Sequence, residues 1–208
     1  MSEARQQSQA DVALICILSA VFLLRVPSEC LGLQFDCVAE HSSLQIRQVG
    51  DRQGLVLSLR RRKNLPQGSV LQRACTCPQD QTMCAMHALL AWNRSRGRAW
   101  TGPLFSYPAS SFSRDLRKAL VDLGIEDAHA YSSQSFRRGT AQELASSGGS
   151  LACILEAGQW HSRAFMAYLA KADIEEAAVL DLIMAGSESE GEKDAPATRC
   201  AVKRPRTK

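Results

Sequence analysis

Four side chains of metal-binding type sit close together in the middle of the chain. Cys75, Cys77, Cys84 and His87 fall in CTCPQDQTMCAMH, a C-x-C-x6-C-x2-H array. Three thiolates and one imidazole are an adequate tetrahedral set for zinc, and with every position filled by protein the ion would be structural rather than catalytic. The spacing is irregular for common zinc modules. Thiols are also among the side chains most often buried, so free cysteines remain the other reading.

A second set of residues points to anions. Arg137 and Arg138 are adjacent where a helix is expected to begin. Two cations there oppose the positive end of the helix dipole, and a nearby phosphate would remove the conflict. Arg60, Arg61, Arg62 and Lys63 form another basic run, and strand alternation would set 60 and 62 on one side, 61 and 63 on the other. Trp160 offers a single N–H on a large apolar body, and Tyr168 a phenol. Either fits an ordinary half-buried core position as readily as a site, just as Arg25 at a helix end could simply satisfy terminal carbonyls.

The elements that must carry these residues follow from the hydrophobic pattern. A helix is expected over 10–24, starting near Ala10 and Asp11 as its cap and ended by RVPSEC; Pro27 then suits the first turn of a short helix over 28–33. LQIRQV and LVLSLRRR alternate apolar and polar residues around the turn GDRQG, which is a β-hairpin pattern, and 69–72 extends it as a third strand. Helices are expected over 83–94 and 111–123, the latter with Phe112, Leu116, Leu120 and Leu123 on one side. Beyond Gly124, Ser133 or Ser135 caps a helix to about Ser146, Gly148 and Gly149 stop it, and Ser150 caps another over 151–157. Further helices are expected over 160–168 and 174–184. The fold class is α+β, mainly helical, with a small antiparallel sheet: one domain over 10–184 and a disordered polar tail over 185–208.

Composition bounds the function. With 208 residues, 45% hydrophobic and 22% charged, the chain has the balance of a globular domain rather than a disordered one. A net charge of +4 permits a nucleic-acid partner without demanding one. Eight cysteines without a secretory leader favour a reducing, intracellular setting over a disulfide scaffold. The apolar run 12–24 is too short for a membrane span, which needs about 20 residues. The terminal KRPRTK has the size of a nuclear-import signal or a nonspecific DNA arm, and equally of a basic end without function.

FLLRVPSECLGL, SLRRRKN, QSFRRG and GQWHSRAFMAYL, in that order, resemble the active-site segments of the tyrosine recombinases, the phage-integrase family, with the look of eukaryotic mobile-element recombinases of the Crypton kind. The likeness spans about residues 10–169. It implies a tyrosine-recombinase catalytic-domain-like fold and a catalytic set of Arg25, Lys63, Arg137, Trp160 and Tyr168, with Gln134 where the family has a histidine. The implied reaction is DNA strand cleavage and rejoining, as in recombination or integration, through a 3′-phosphotyrosyl intermediate. Its partners would be double-stranded DNA and further copies of the chain, as a tetramer on DNA. No cofactor is needed for that chemistry. A histidine titrates and a glutamine does not, so the same likeness also fits a catalytically inactive DNA-binding remnant of a mobile element. Family members usually carry an N-terminal DNA-clamping domain, and this chain is expected to begin almost at the catalytic one. A third reading makes the Cys/His array the point, in a zinc-stabilised interaction module on an inherited scaffold.

Overall fold

The computed structural model describes residues 3–36, 40–63, 65–77, 83–97, 99–160 and 165. The chain divides into two compact units, Met1–Phe136 and Arg137–Lys208.

The first unit is built on α1, Glu3–Val21, and α2, Ala85–Arg96. Val12, Ile15, Leu18 and Phe22 recur at helical spacing and are buried. Asp11 does not cap α1, because the helix begins a full two turns earlier; it lies mid-helix and buried. Its carboxylate accepts a hydrogen bond from Trp92 Nε1 at 2.8 Å and pairs with Arg96 Nη2 at 2.5 Å, while the Arg96 guanidinium lies 5.2 Å from the Trp92 ring centroid. A carboxylate withdrawn from water needs such donors. Asp11→Ala leaves a buried indole N–H without its acceptor and lowers stability by about 1–3 kcal/mol. A urea midpoint equal to that of the parent would remove Asp11 from the tie between α1 and α2. None of the described helices is long and apolar enough to cross a membrane.

After α1 the chain enters a π-helical turn, Val26–Cys30, in place of the α-helix expected over 28–33. Pro27 supplies a helix-compatible φ at its start. The Cys30 and Leu31 N–H groups then reach the Arg25 and Val26 carbonyls at 3.2 and 3.1 Å, which widens the turn.

Strands β1, Leu33–Gln34, β2, Ser42–Val49, β3, Arg52–Leu59, and β4, Ser69–Ala74, form one sheet in the order β1-β2-β3-β4. The hairpin of β2 and β3 turns on Gly50 and Asp51 alone and pairs Leu44 with Leu57 and Ile46 with Leu55. Leu55, Leu57 and Leu59 alternate onto the buried face, as a half-covered strand requires. The sheet is mixed, not wholly antiparallel, because β1 runs parallel to β2. Two residues are too few to show alternation, and backbone bonds hold this strand: Leu104 N–H donates to the Leu33 carbonyl and Phe35 N–H to the Gly102 carbonyl, both at 2.9 Å.

The basic run is not a continuation of β3. The strand stops at Leu59, and Arg62 and Leu65 exchange backbone hydrogen bonds of 3.1 Å across a tight turn. Gly68 returns the chain with φ 84°, where a Cβ would stand 2.3 Å from the Leu59 carbonyl oxygen, so a side chain is excluded on both counts. Buried Leu89 and Trp92 of α2, and Phe112 and Leu116 of α3, Ala109–Asp122, join α1 and the sheet in one core. Leu123, expected on the apolar stripe of α3, is the residue that ends the helix and is exposed.

α4 spans Ser135–Ser146, and in the second unit α5 spans Leu151–Gly158. Ser150 caps α5 by accepting from the Cys153 N–H at 3.2 Å. Gln159 adopts a left-handed conformation, φ 48°, that ends α5, so Trp160 stands outside a helix rather than opening one. Of the helix expected over 160–168 only Trp160 and Phe165 are described; Tyr168, the helix expected over 174–184 and the tail over 185–208 lie outside the described residues.

Candidate functional site

The Cys/His array converges in the first unit. Cys75 continues β4, its N–H donating to the Gln53 carbonyl at 2.8 Å, and Cys77 follows at the strand-like spacing that returns a side chain to the same face. Cys84 precedes α2 in an extended conformation, and His87 lies in the first turn on the same side. The Cys75 and Cys77 sulfurs are 3.1 Å apart and Cys84 Sγ is 3.8 Å from Cys75 Sγ. His87 Nδ1 lies 3.3 Å from Cys77 Sγ and 3.7 Å from Cys75 Sγ, and all four ligand atoms fall within 4.8 Å of one another.

Bonds of about 2.3 Å to sulfur and about 2.0 Å to nitrogen in a tetrahedron place ligand atoms roughly 3.5–3.8 Å apart. The observed spacings bracket that range; the Cys75–Cys77 pair at 3.1 Å would have to spread most, and His87 Nδ1 would have to move slightly from Cys77 Sγ at 3.3 Å. These four side chains form a cluster that could hold a metal ion. Cys16, in α1, and Cys30, at the end of the π-helical turn, lie apart from the cluster, and burial pushes both thiols up to about 12.

Two basic residues of the first unit, Arg25 and Arg62, converge on Glu29. Its carboxylate accepts from the Arg25 N–H at 2.9 Å, from Arg25 Nη1 at 2.8 Å, and from Arg62 Nε and Nη2 at 3.2 Å each. Arg62 is 4% exposed and also donates to the Leu23 carbonyl at 3.4 Å. Burial alone would push the Glu29 carboxyl up; the Arg62 hydrogen bonds and charge, followed by those of Arg25, outweigh it and hold the group below its usual range. The Arg25 side chain keeps about a third of its surface in solvent. Arg60, Arg61 and Lys63 are exposed around the pinned Arg62.

Arg62 was the residue the pattern did not single out. Strand parity pairs it with Arg60, yet one is buried and the other exposed, because the strand has already ended. The signal lay in NLPQG, whose Pro66 and Gly68 demand a turn that cancels the alternation.

In the second unit, Arg137 is 3% exposed, donates to the Gly158 carbonyl at 2.9 Å and places its guanidinium 4.8 Å from the Trp160 ring centroid. Trp160 in turn lies 6.1 Å from Phe165, ring centre to ring centre. Gly158 makes the fold-back feasible, since a Cβ there would fall 2.2 Å from atoms of the indole. Arg137 and Trp160 are thus brought together, Arg138 and Gln134 are exposed, and Gln134 donates its backbone N–H to Ser132 Oγ at 3.3 Å.

The fold and these sites define a mixed α+β protein with a preformed three-cysteine, one-histidine cluster and a buried carboxylate shared by two arginines. No family model, curated protein or solved structure matches the chain.

Proposed function

We infer that this chain is a tyrosine-recombinase-like protein that binds duplex DNA and breaks and rejoins its strands through Tyr168, with zinc in the Cys75, Cys77, Cys84 and His87 cluster as a structural clamp. The observation that carries the reading is the Glu29 carboxylate. It joins Arg25, which follows the first long helix, to the hairpin turn that presents Lys63, and it leaves Arg25, Arg60, Arg61 and Lys63 accessible to a polyanion. In the reaction, the Arg25 guanidinium holds the non-bridging oxygens where charge grows, and the tyrosyl oxygen attacks phosphorus. Lys63 gives its proton to the departing 5′-oxygen. The phosphotyrosyl bond conserves the energy of the broken phosphodiester for rejoining. Zinc takes no part in these steps, since its four ligands would fill the tetrahedron.

A second reading, a DNA-binding remnant without turnover, is favoured by the surroundings of Arg137. Its guanidinium stacks on Trp160 and bonds to Gly158, a placement it would have to leave to grip a phosphate, and the neighbouring Gln134 does not titrate.

Nicked suicide duplexes of random sequence, incubated with the parent chain and with Tyr168→Phe, separate the readings. The active reading expects a protein–DNA adduct that survives denaturation, from the parent only. Binding that weakens steeply with salt, with no adduct from either chain, establishes the remnant instead. An adduct that persists in Tyr168→Phe rules out this tyrosine as the nucleophile.

A further inference from the structure

The cluster has an internal asymmetry that a purely structural ion does not require. Cys75 Sγ and Cys77 Sγ approach to 3.1 Å, while the next sulfur, Cys84 Sγ, is 3.8 Å from Cys75. A disulfide bond is about 2.05 Å long, so the pair needs to close by about 1 Å from this spacing, or by about 1.7 Å from the roughly 3.8 Å that a zinc tetrahedron sets. Thr76, the residue between them, is exposed, and both cysteines are half-buried rather than sealed in the core. The pair therefore meets solvent. Cys30, by contrast, is sealed in the core.

We propose that Cys75 and Cys77 form a peroxide-responsive dithiol pair whose oxidation to a disulfide ejects the metal and releases the end of β4 from the start of α2. The inference rests on the zinc reading of the cluster. One thiolate sulfur attacks a peroxide oxygen, the O–O bond breaks, and hydroxide leaves and is protonated to water; the sulfur becomes a sulfenic acid. The second thiolate attacks that sulfur, the S–S bond forms, the S–O bond breaks, and the departing hydroxide takes a proton to give a second water. Two electrons pass from the two sulfurs to hydrogen peroxide, and the balance is two thiols and one peroxide to one disulfide and two waters. Cys84 and His87 remain as the only cluster ligands, and two ligands do not retain zinc in a site built for four. A thiol reductant reverses the exchange and restores the full set.

The test uses the full chain, reduced and loaded with zinc, treated with hydrogen peroxide in the presence of a chromogenic zinc indicator, then alkylated and digested without reductant. The expected result is release of one zinc per chain together with a mass loss of two hydrogens in the peptide containing Cys75 and Cys77, both reversed by dithiothreitol and added zinc. Zinc held throughout, or lost with Cys75 and Cys77 still open to alkylation, overturns the switch. So does a bridge that uses Cys84. A reduced chain that takes up no zinc overturns the metal reading itself and the release step with it. That outcome is distinct from a zinc-binding chain that forms no bridge.

Discussion

On the zinc-clamp reading, stripping zinc from the loaded chain with a strong chelator is expected to lower its melting temperature by about 8–16 °C. A ligand bound only to the folded state, present at a thousandfold excess over its dissociation constant, adds about 4 kcal/mol. For a chain of this length each kcal/mol moves the midpoint by about 2–4 °C. The effect is large because the ligands would tie two elements together: Cys75 and Cys77 follow β4, while Cys84 precedes α2 and His87 lies in its first turn. Cys84→Ser should behave like the stripped parent and hold less than one zinc per chain by metal analysis. Cys16→Ala, outside the cluster, should keep its zinc. A melting curve indifferent to chelation, in protein shown to have lost its metal, would remove the clamp from the account.

Glu29→Ala is expected to cost about 3–5 kcal/mol, since it strands the guanidinium of Arg62 in the core without its counter-charge. The double variant Glu29→Leu with Arg62→Met should recover much of that loss, because an apolar pair of similar volume avoids desolvating two charges. Equal losses in the single and double variants would mean that the site depends on packing rather than on charge.

The pH dependence has a definite sign. Glu29 is held below the ordinary 4.5, so the folded chain binds its proton less readily than the unfolded one. Its stabilisation is complete above that ordinary value and fades as the pH falls through the lower, folded-state value. Acid titration of stability should therefore be steeper for the parent than for Glu29→Ala in this range. Parallel curves would take Glu29 out of the acid response.

Much of this architecture was legible because it is local. Leu55, Leu57 and Leu59 announce a half-buried strand by alternation, and Gly50 with Asp51 announces the hairpin; both depend only on backbone period and turn chemistry. The cap of α5 by Ser150 is equally short-range. The cysteines and His87 were legible as a set because their ligand chemistry survives an irregular spacing. β1 was not legible, since two residues carry no period and the strand exists through bonds to residues 102–104 and to β2. Asp11 looked like a cap because acidic residues favour helix starts, yet its partners, Trp92 and Arg96, lie some eighty residues along the chain.

Residue types and spacing by themselves determined that this protein has an α+β fold, the hairpin of β2 and β3, the extents of α4 and α5, and that Cys75, Cys77, Cys84 and His87 belong together, all consequences of interactions within a few residues. The tertiary structure alone decided that Arg62, not Lys63, is the buried member of the basic run. It also decided that Glu29 serves two arginines at once and that Arg137 lies against Trp160. Each of these is a charge taken out of water, and which partner compensates it depends on where distant parts of the chain meet.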